Sequence, residues 1–315
     1  MNRQIFFLLF VLTATVCLPS CNKDDSEAKL LEEEQALDVW MKNNYADAEK
    51  LSNGLYVSVT KSSLEKKPDA GQHVLVNYEL RLLDNRALEK TSYTSTDESP
   101  IEQSLYKFGG PELWQLTAPL AGIFAGIAQM SEEQRGTIFF SSRYNVLTGF
   151  VIDYRSRMLE MELVKIIPAL SLYQDTLCHA HVVQKVQKVD TTVTRSVVTG
   201  ADCSVMYGII SEGKGESLNG KGTVYAQVEA YYALQRNASV NFAKEDKINL
   251  KTYPNFSNYT ADNYLDKILQ PLKTGAHLRI AMPYVLFYGK DPQEDNGQVV
   301  VPMGSVVILD IKIVE

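Results

Sequence analysis

The stretch Leu120-Ala-Gly-Ile-Phe-Ala-Gly-Ile-Ala-Gln-Met130 decides how this chain folds. Its apolar residues Leu120, Ile123, Phe124, Ile127 and Met130 fall at i, i+3, i+4, i+7 and i+10, a single stripe along a short helix. Such a stripe belongs on the concave side of a sheet, and strand patterns stand on both sides of it. Upstream, Gly54-Leu-Tyr-Val-Ser-Val-Thr60 and His73-Val-Leu-Val-Asn-Tyr-Glu-Leu80 alternate with period two, which puts Val74, Val76 and Tyr78 on one face. Lys66-Lys67-Pro68-Asp69-Ala70-Gly71 makes the turn between them, Asp84-Asn85 makes the next, and 91–100 is a polar loop. Downstream, strands are expected near Gly136–Ser141 and Arg157–Ile167.

The same order then returns, which is the most informative feature of the chain. Ser204-Val-Met-Tyr-Gly-Ile-Ile210 answers Gly54–Thr60, and Gly213, Gly215, Asn219-Gly220 and Gly222 supply the turn before Tyr225–Leu234. Leu265, Ile268, Leu269 and Leu272 form the helical stripe, closed by Gly275 as a C-cap, and Leu278–Pro283 and Val306–Val314 finish the copy. The second copy carries a longer insertion over 243–263, rich in Asn, Tyr and Lys. Residues 168–200, between the copies, show no helical periodicity and read as an extended linker. Ahead of the first copy, Ala28 to about Leu51 reads as an acidic helix, with Leu30, Leu37, Trp40 and Met41 near the helical period. That helix either packs on the first domain or serves as an arm for a homodimer.

The first twenty residues are an export leader: Arg3, then the apolar run Ile5–Val16, too short to span a bilayer. Ser20 followed by Cys21 resembles the bacterial lipoprotein cleavage box, which makes residues 1–20 a signal peptide and Cys21 the lipidated N-terminus, with 21–51 a spacer and helix. Asp24-Asp25 resembles the surface-export signals of some Bacteroidetes lipoproteins. The expectation is a lipid-anchored protein of a Gram-negative cell envelope, on the periplasmic or surface side of the outer membrane, with no later membrane span. Lys+Arg number 31 against 38 Asp+Glu, and the net charge of −7 argues against a nucleic-acid partner. With 315 residues, 45% of them hydrophobic, two packed domains are expected, 52–167 and 201–315. Cys178 and Cys203 stay after the leader is removed. They either close a disulfide loop of about 26 residues, worth roughly 3 kcal/mol, or are two unpaired thiols. In Cys178-His179-Ala-His181 two histidines at i, i+2 share a side only on a strand, and no acid or thiol stands at ligand spacing, so no metal is expected.

Two strands, loop, strand, short helix and two strands is also the element order of FKBP-type peptidyl-prolyl isomerases, and the residues resemble them. Gly122-Ile-Phe-Ala-Gly-Ile-Ala-Gln-Met-Ser-Glu-Glu-Gln-Arg135 is similar to the family's helical segment, and Met158-Leu-Glu-Met-Glu-Leu163 to its final strand. Ile280-Ala-Met-Pro-Tyr-Val-Leu-Phe-Tyr-Gly289 resembles the family's Ile-Pro…Leu-Ala-Tyr-Gly stretch. Val301-Pro302 with Val307-Ile-Leu-Asp-Ile-Lys-Ile313 resembles its Ile-Pro…Phe-Asp-Val-Glu-Leu ending. The resemblance implies an α+β chain of two tandem FKBP-like domains, each a curved antiparallel sheet around a short helix, behind an N-terminal helix. It also implies prolyl isomerisation or folding assistance on exported proteins, with proline-containing segments as partners. Rotation about an Xaa-Pro bond meets a barrier near ~20 kcal/mol, and an apolar pocket that strips water from the amide and matches the twisted bond lowers it without any cofactor.

Carried over residue by residue, the family's proline pocket falls in the first copy on Tyr78, Leu88, Glu89, Leu120, Ile123, Val146 and Leu159. In the second it falls on Val240, Asn241, Leu265, Tyr288 and Leu309. Both copies stay apolar and lose most of the aromatic residues, which keeps open a non-catalytic module that binds an extended peptide. A third expectation is a glycan-binding surface built from the aromatic residues Trp114, Tyr253, Phe256 and Tyr259.

Overall fold

The computed structural model describes residues 23–60, 66–91, 111–116, 122–147, 152–233, 239–253, 258–290, 293–295, 298–301 and 304–314. The leader, Cys21, Leu120 and Phe256 lie outside the described residues, as do the side chains of Val146, Val240 and Asn241.

The chain is α+β, a helix followed by two antiparallel sheets. In the first half these are α1 (Lys23–Asn44), β1 (Glu49–Lys50), β2 (Tyr56–Val59), β3 (His73–Leu82), β4 (Ala87–Lys90) and β5 (Glu112–Gln115). Then come α2 (Ile123–Ile127), β6 (Gln134–Phe140), a 3-10 turn (Ser142–Leu147) and β7 (Arg157–Ile167). The second half holds α3 (Leu170–Val183), β8 (Asp190–Arg195), β9 (Asp202–Ser211), β10 (Tyr225–Ala233), β11 (Ser239–Asn249) and α4 (Tyr264–Leu269). It ends with β12 (His277–Pro283), α5 (Tyr284–Tyr288), the hairpin β13 (Gln293–Asp295) and β14 (Gln298–Val301), and β15 (Val306–Ile313).

Strand pairing makes the repeat explicit. The first sheet runs β1-β2-β6-β7-β3-β4, with β5 also on β3, and the second, read from its other edge, runs β8-β9-β12-β15-β10-β11. The registers match too: Ile138 faces Leu159 across β6 and β7, and Ile280 faces Leu309 across β12 and β15. Each sheet wraps its short helix. Ile123, Phe124, Ile127 and Met130 close on Val74, Val76, Tyr78 and Leu80 in the first core, and Leu265, Ile268, Leu269 and Leu272 close the second. Each fully buried side chain of this size contributes about 1.5–3 kcal/mol by leaving water.

Helix α1 extends from Lys23 to Asn44 rather than to Leu51. Asparagine disfavours helix interiors, and the Asn44 side-chain amide turns back to Trp40 O at 2.8 Å, so the helix stops there and the chain forms β1. Leu37 and Met41 pack on Tyr56, Phe139 and Met158, on the outer face of the first sheet. Buried Glu33 accepts from Ser142 N at 2.6 Å and from Ser156 Oγ at 3.0 Å, and Arg143 holds Glu34 at 2.8 Å and Glu27 at 2.7 Å. The apolar side of the helix thus packs on its own first sheet, while Leu31 and Val39 on its other side stay exposed.

The expected extended linker is corrected. Residues 170–183 form α3, and β8 is a strand of the second sheet. Tyr173, Gln174, Leu177, Cys178, His181 and Val182 face inward at the helical period, but two of those six are polar, which hides the stripe in the sequence. They pack on Met206, Ala281, Val306 and Ile308, covering the back of the second sheet as α1 covers part of the first. The 243–263 insertion is also shorter than expected, because β11 takes it to Asn249, and Asn263 caps α4 by accepting from Asp266 N at 3.3 Å. Both cysteines are free. Cys178 is buried between α3 and the back of the sheet, whereas Cys203 packs on the concave core, so the sheet stands between the two thiols.

Candidate functional site

The concave face of the first sheet carries the more complete set of candidate residues, packed around its short helix. Strand alternation turns Tyr78 inward from β3 and leaves its ring 93% buried, since it is only 7% exposed. Its hydroxyl donates to the Glu89 carboxylate on β4 and lies 3.0 Å from Glu112 Oε2 on β5. One hydroxyl proton can serve only one carboxylate at a time, so the phenol bridges two acids at the mouth of the cleft. Burial, then the charges of Glu112 and Glu89, push the Tyr78 phenol far above its ordinary value, and it stays a neutral donor.

Trp114, also on β5, forms the wall. Its ring lies 5.0 Å from Tyr78 and 6.4 Å, edge-on, from Phe124. Half-buried Leu88 packs against the same core, and Ile123 and Leu159, 1% and 2% exposed, form the floor. The structure therefore brings Tyr78, Leu88, Glu89, Ile123 and Leu159 together. Val146 lies in the 3-10 turn, two residues after Tyr144, whose hydroxyl donates to Asn53 O and whose ring packs on this core. Glu112 and Trp114 complete the cleft without having been read as pocket residues. The four-residue strand that carries them is too short to show its period in the sequence.

The second cleft is built differently. The residue that faces Ile311, as Tyr78 faces Met161, is Val228, and the residue opposite Ala230, the counterpart of Leu80, is Ala243. Val240 and Asn241 stand instead opposite Tyr232 and Tyr231, so the expected acid-bearing pair is displaced along β11. No tyrosine–carboxylate pair of the first kind forms at those positions. Glu245, opposite Val228, accepts from the Tyr253 hydroxyl at 3.1 Å. Tyr253 lies 6.1 Å from Phe287, which stands edge-on to Tyr288 at 4.8 Å, and Tyr284 is 5.3 Å from Tyr288. Burial, with Tyr253 and the other neighbours, holds the half-buried Tyr288 phenol above its ordinary value. Gly289 follows in left-handed backbone at φ 77°, and a Cβ there would meet the Tyr259 ring at 2.7 Å. Leu265 and Leu309, 1% and 0% exposed, are core beneath this aromatic group.

Two other expectations are relocated. Trp114 belongs to the first core and Tyr253 to the second, so they do not form one stacking surface. His179 is exposed and His181 buried on α3, since i, i+2 on a helix diverge.

No family model matches the chain, and no curated protein matches it in sequence. Among solved structures it is similar to a peptidyl-prolyl cis-trans isomerase from Pseudomonas syringae pv. tomato, at 18% identity over 45% of this chain and 96% of that one, with a TM-score of 0.34. It is similar to the three FKBP domains of wheat FKBP73 at 16% identity, over 84% of this chain and 95% of that one, with a TM-score of 0.26. FkpA from Escherichia coli is similar at 16% identity, over 54% of this chain and 74% of that one, with a TM-score of 0.34.

Proposed function

We propose that this chain is a divergent two-domain FKBP-like protein that binds proline-containing segments of exported proteins and speeds rotation about their Xaa-Pro bonds, as an isomerase or folding helper. The observation that carries the reading is the Tyr78–Glu89 pair above the apolar floor of Ile123 and Leu159, at positions the sequence resemblance marks. Such a cleft can seat a prolyl ring, exclude water from the preceding amide and offer a neutral donor at its rim. The catalyst needs no nucleophile, and the elevated Tyr78 phenol is suited to donating a hydrogen bond rather than giving up its proton. The first cleft is the catalytic candidate. The second, with Val228 and Ala243 in place of the pair, is better suited to holding a peptide without turning it over. The leader and Cys21 place this activity, in our reading, on a lipid anchor in a Gram-negative envelope.

The test is isomerisation of a short Xaa-Pro peptide by the protein beginning at residue 22, beside its Trp114→Ala and Tyr253→Ala variants. Acceleration above the uncatalysed rate, lost with Trp114→Ala and kept with Tyr253→Ala, is the expected result. Peptide binding without acceleration leaves a peptide-holding module. Neither binding nor acceleration by the folded protein removes both readings.

A further inference from the structure

We propose that the second domain sets the wall of the first cleft through a joint made by Leu113, Tyr173, Gln174 and Gly304. The proposal rests on the reading of the first cleft as the working one. Strand β5 carries both functions by its pleat: Glu112 and Trp114 face the cleft, and Leu113 between them faces the opposite way. On that outer side Leu113 packs with Leu75, Val164 and Ile167 of the first domain and with Tyr173 of α3. Tyr173 also belongs to the cluster that seats α3 on the back of the second sheet, so one side chain joins both domains. Burial alone raises its phenol to about 12.

The second domain reaches the same spot through Gly304, just before β15. Its backbone is left-handed at φ 75°, and any side chain there would run into Leu113 Cδ2. Gln174, buried on α3, donates to Gly304 O at 2.9 Å and fixes that backbone in place. The backbone angle favours glycine at 304, and a Cβ there would push the end of the Leu113 side chain aside. Close-packed interiors transmit such contacts rather than absorb them. A displacement of Leu113 moves the strand that carries Trp114 and Glu112, so docking of the second domain positions the first cleft.

Trp40 and Trp114 are the two tryptophans of the chain, so Trp40→Phe leaves Trp114 as the sole reporter. In that background we would make Leu113→Ala, Gly304→Ala and the pair together, in the full protein. Two readouts are needed: acrylamide quenching of Trp114, and its emission change on titration with a proline peptide. Each single variant should raise quenching by about twofold or more and weaken the peptide response. The double variant should be no worse than Gly304→Ala, because removing the Leu113 side chain relieves the clash. Should Gly304→Ala fail to fold, Leu113→Ala alone decides the matter. Unchanged Trp114 quenching in folded single variants, or effects that simply add in the double variant, would overturn the joint. Loss of the functional reading shows up separately, as a parent protein that neither binds nor isomerises the peptide while its Trp114 still responds to the joint variants.

Discussion

At Tyr78 a single hydroxyl stands between two carboxylates, and that arrangement makes the residue both structural and functional. Tyr78→Phe removes the proton that bridges Glu89 and Glu112 and leaves the two half-buried acids facing one another. A loss of about 1–3 kcal/mol in stability follows from the unmade hydrogen bond, and like-charge repulsion acts in the same direction. The apolar floor is unchanged, so the variant should fold. The measurement is the urea midpoint of Tyr78→Phe against the parent at neutral pH, and an unchanged midpoint would show that the bridge contributes nothing. Tyr78 and Glu89 were legible in the sequence because a strand alternates and a family pattern marks both positions. Glu112 and Trp114 were not, since a four-residue strand is too short to show its period and its pairing to β3 is a long-range event.

Among the elements, the longer sheet strands and the short inner helices follow directly from period-two and period-3.6 patterns, whereas the two outer helices differ from each other. Helix α1 was legible through Leu30, Leu37 and Met41. Helix α3 was not, because Gln174 and His181 occupy its buried face. Among the described residues His181 is fully buried with neither ring nitrogen hydrogen-bonded, and Arg279 beside it is held by Asp310 at 2.6 Å while donating to His181 O at 3.2 Å. Burial first, and the Arg279 charge second, lower its pKa in the folded state. The unfolded chain therefore binds a proton more readily, so the stability is present above about pH 6.5 and is lost as pH falls below it. His73, lowered by burial, acts in the same direction, and the variant separates the two. His181→Leu should reduce the fall in urea midpoint between pH 7.5 and pH 5 relative to the parent. It should cost little at pH 7.5, because the imidazole leaves no partner behind. An equal fall in both proteins would assign the acid sensitivity elsewhere.

For the whole molecule, the repeat is larger than the pattern of strands suggested: each unit is an outer helix, a sheet and an inner helix. The order of the longer strands was readable because each one's apolar face is spelled out locally, whereas their register was not, as the displaced pair Val240 and Asn241 shows. The outer helices were assigned less fully, because a helix on the back of a sheet is specified by the surface that receives it, and that surface is distant in sequence. This gives a test of where the second unit begins. A fragment of residues 201–315 lacks both α3 and β8, so it uncovers Met206, Ile210, Ala281, Val306 and Ile308 on the back of the sheet and leaves β9 as a bare edge. A fragment of residues 168–315 keeps that cover. Burying Leu177, Cys178 and Val182 alone contributes several kcal/mol at about 1.5–3 kcal/mol for each large apolar side chain. Exposed apolar surface with an unpaired edge also favours association. The longer fragment should unfold cooperatively in urea as a monomer, and the shorter one should bind a hydrophobic dye, unfold at lower urea and sediment as larger species. Equal midpoints for the two fragments would mean that α3 is carried by the second sheet without supporting it, and the unit would then begin at β9.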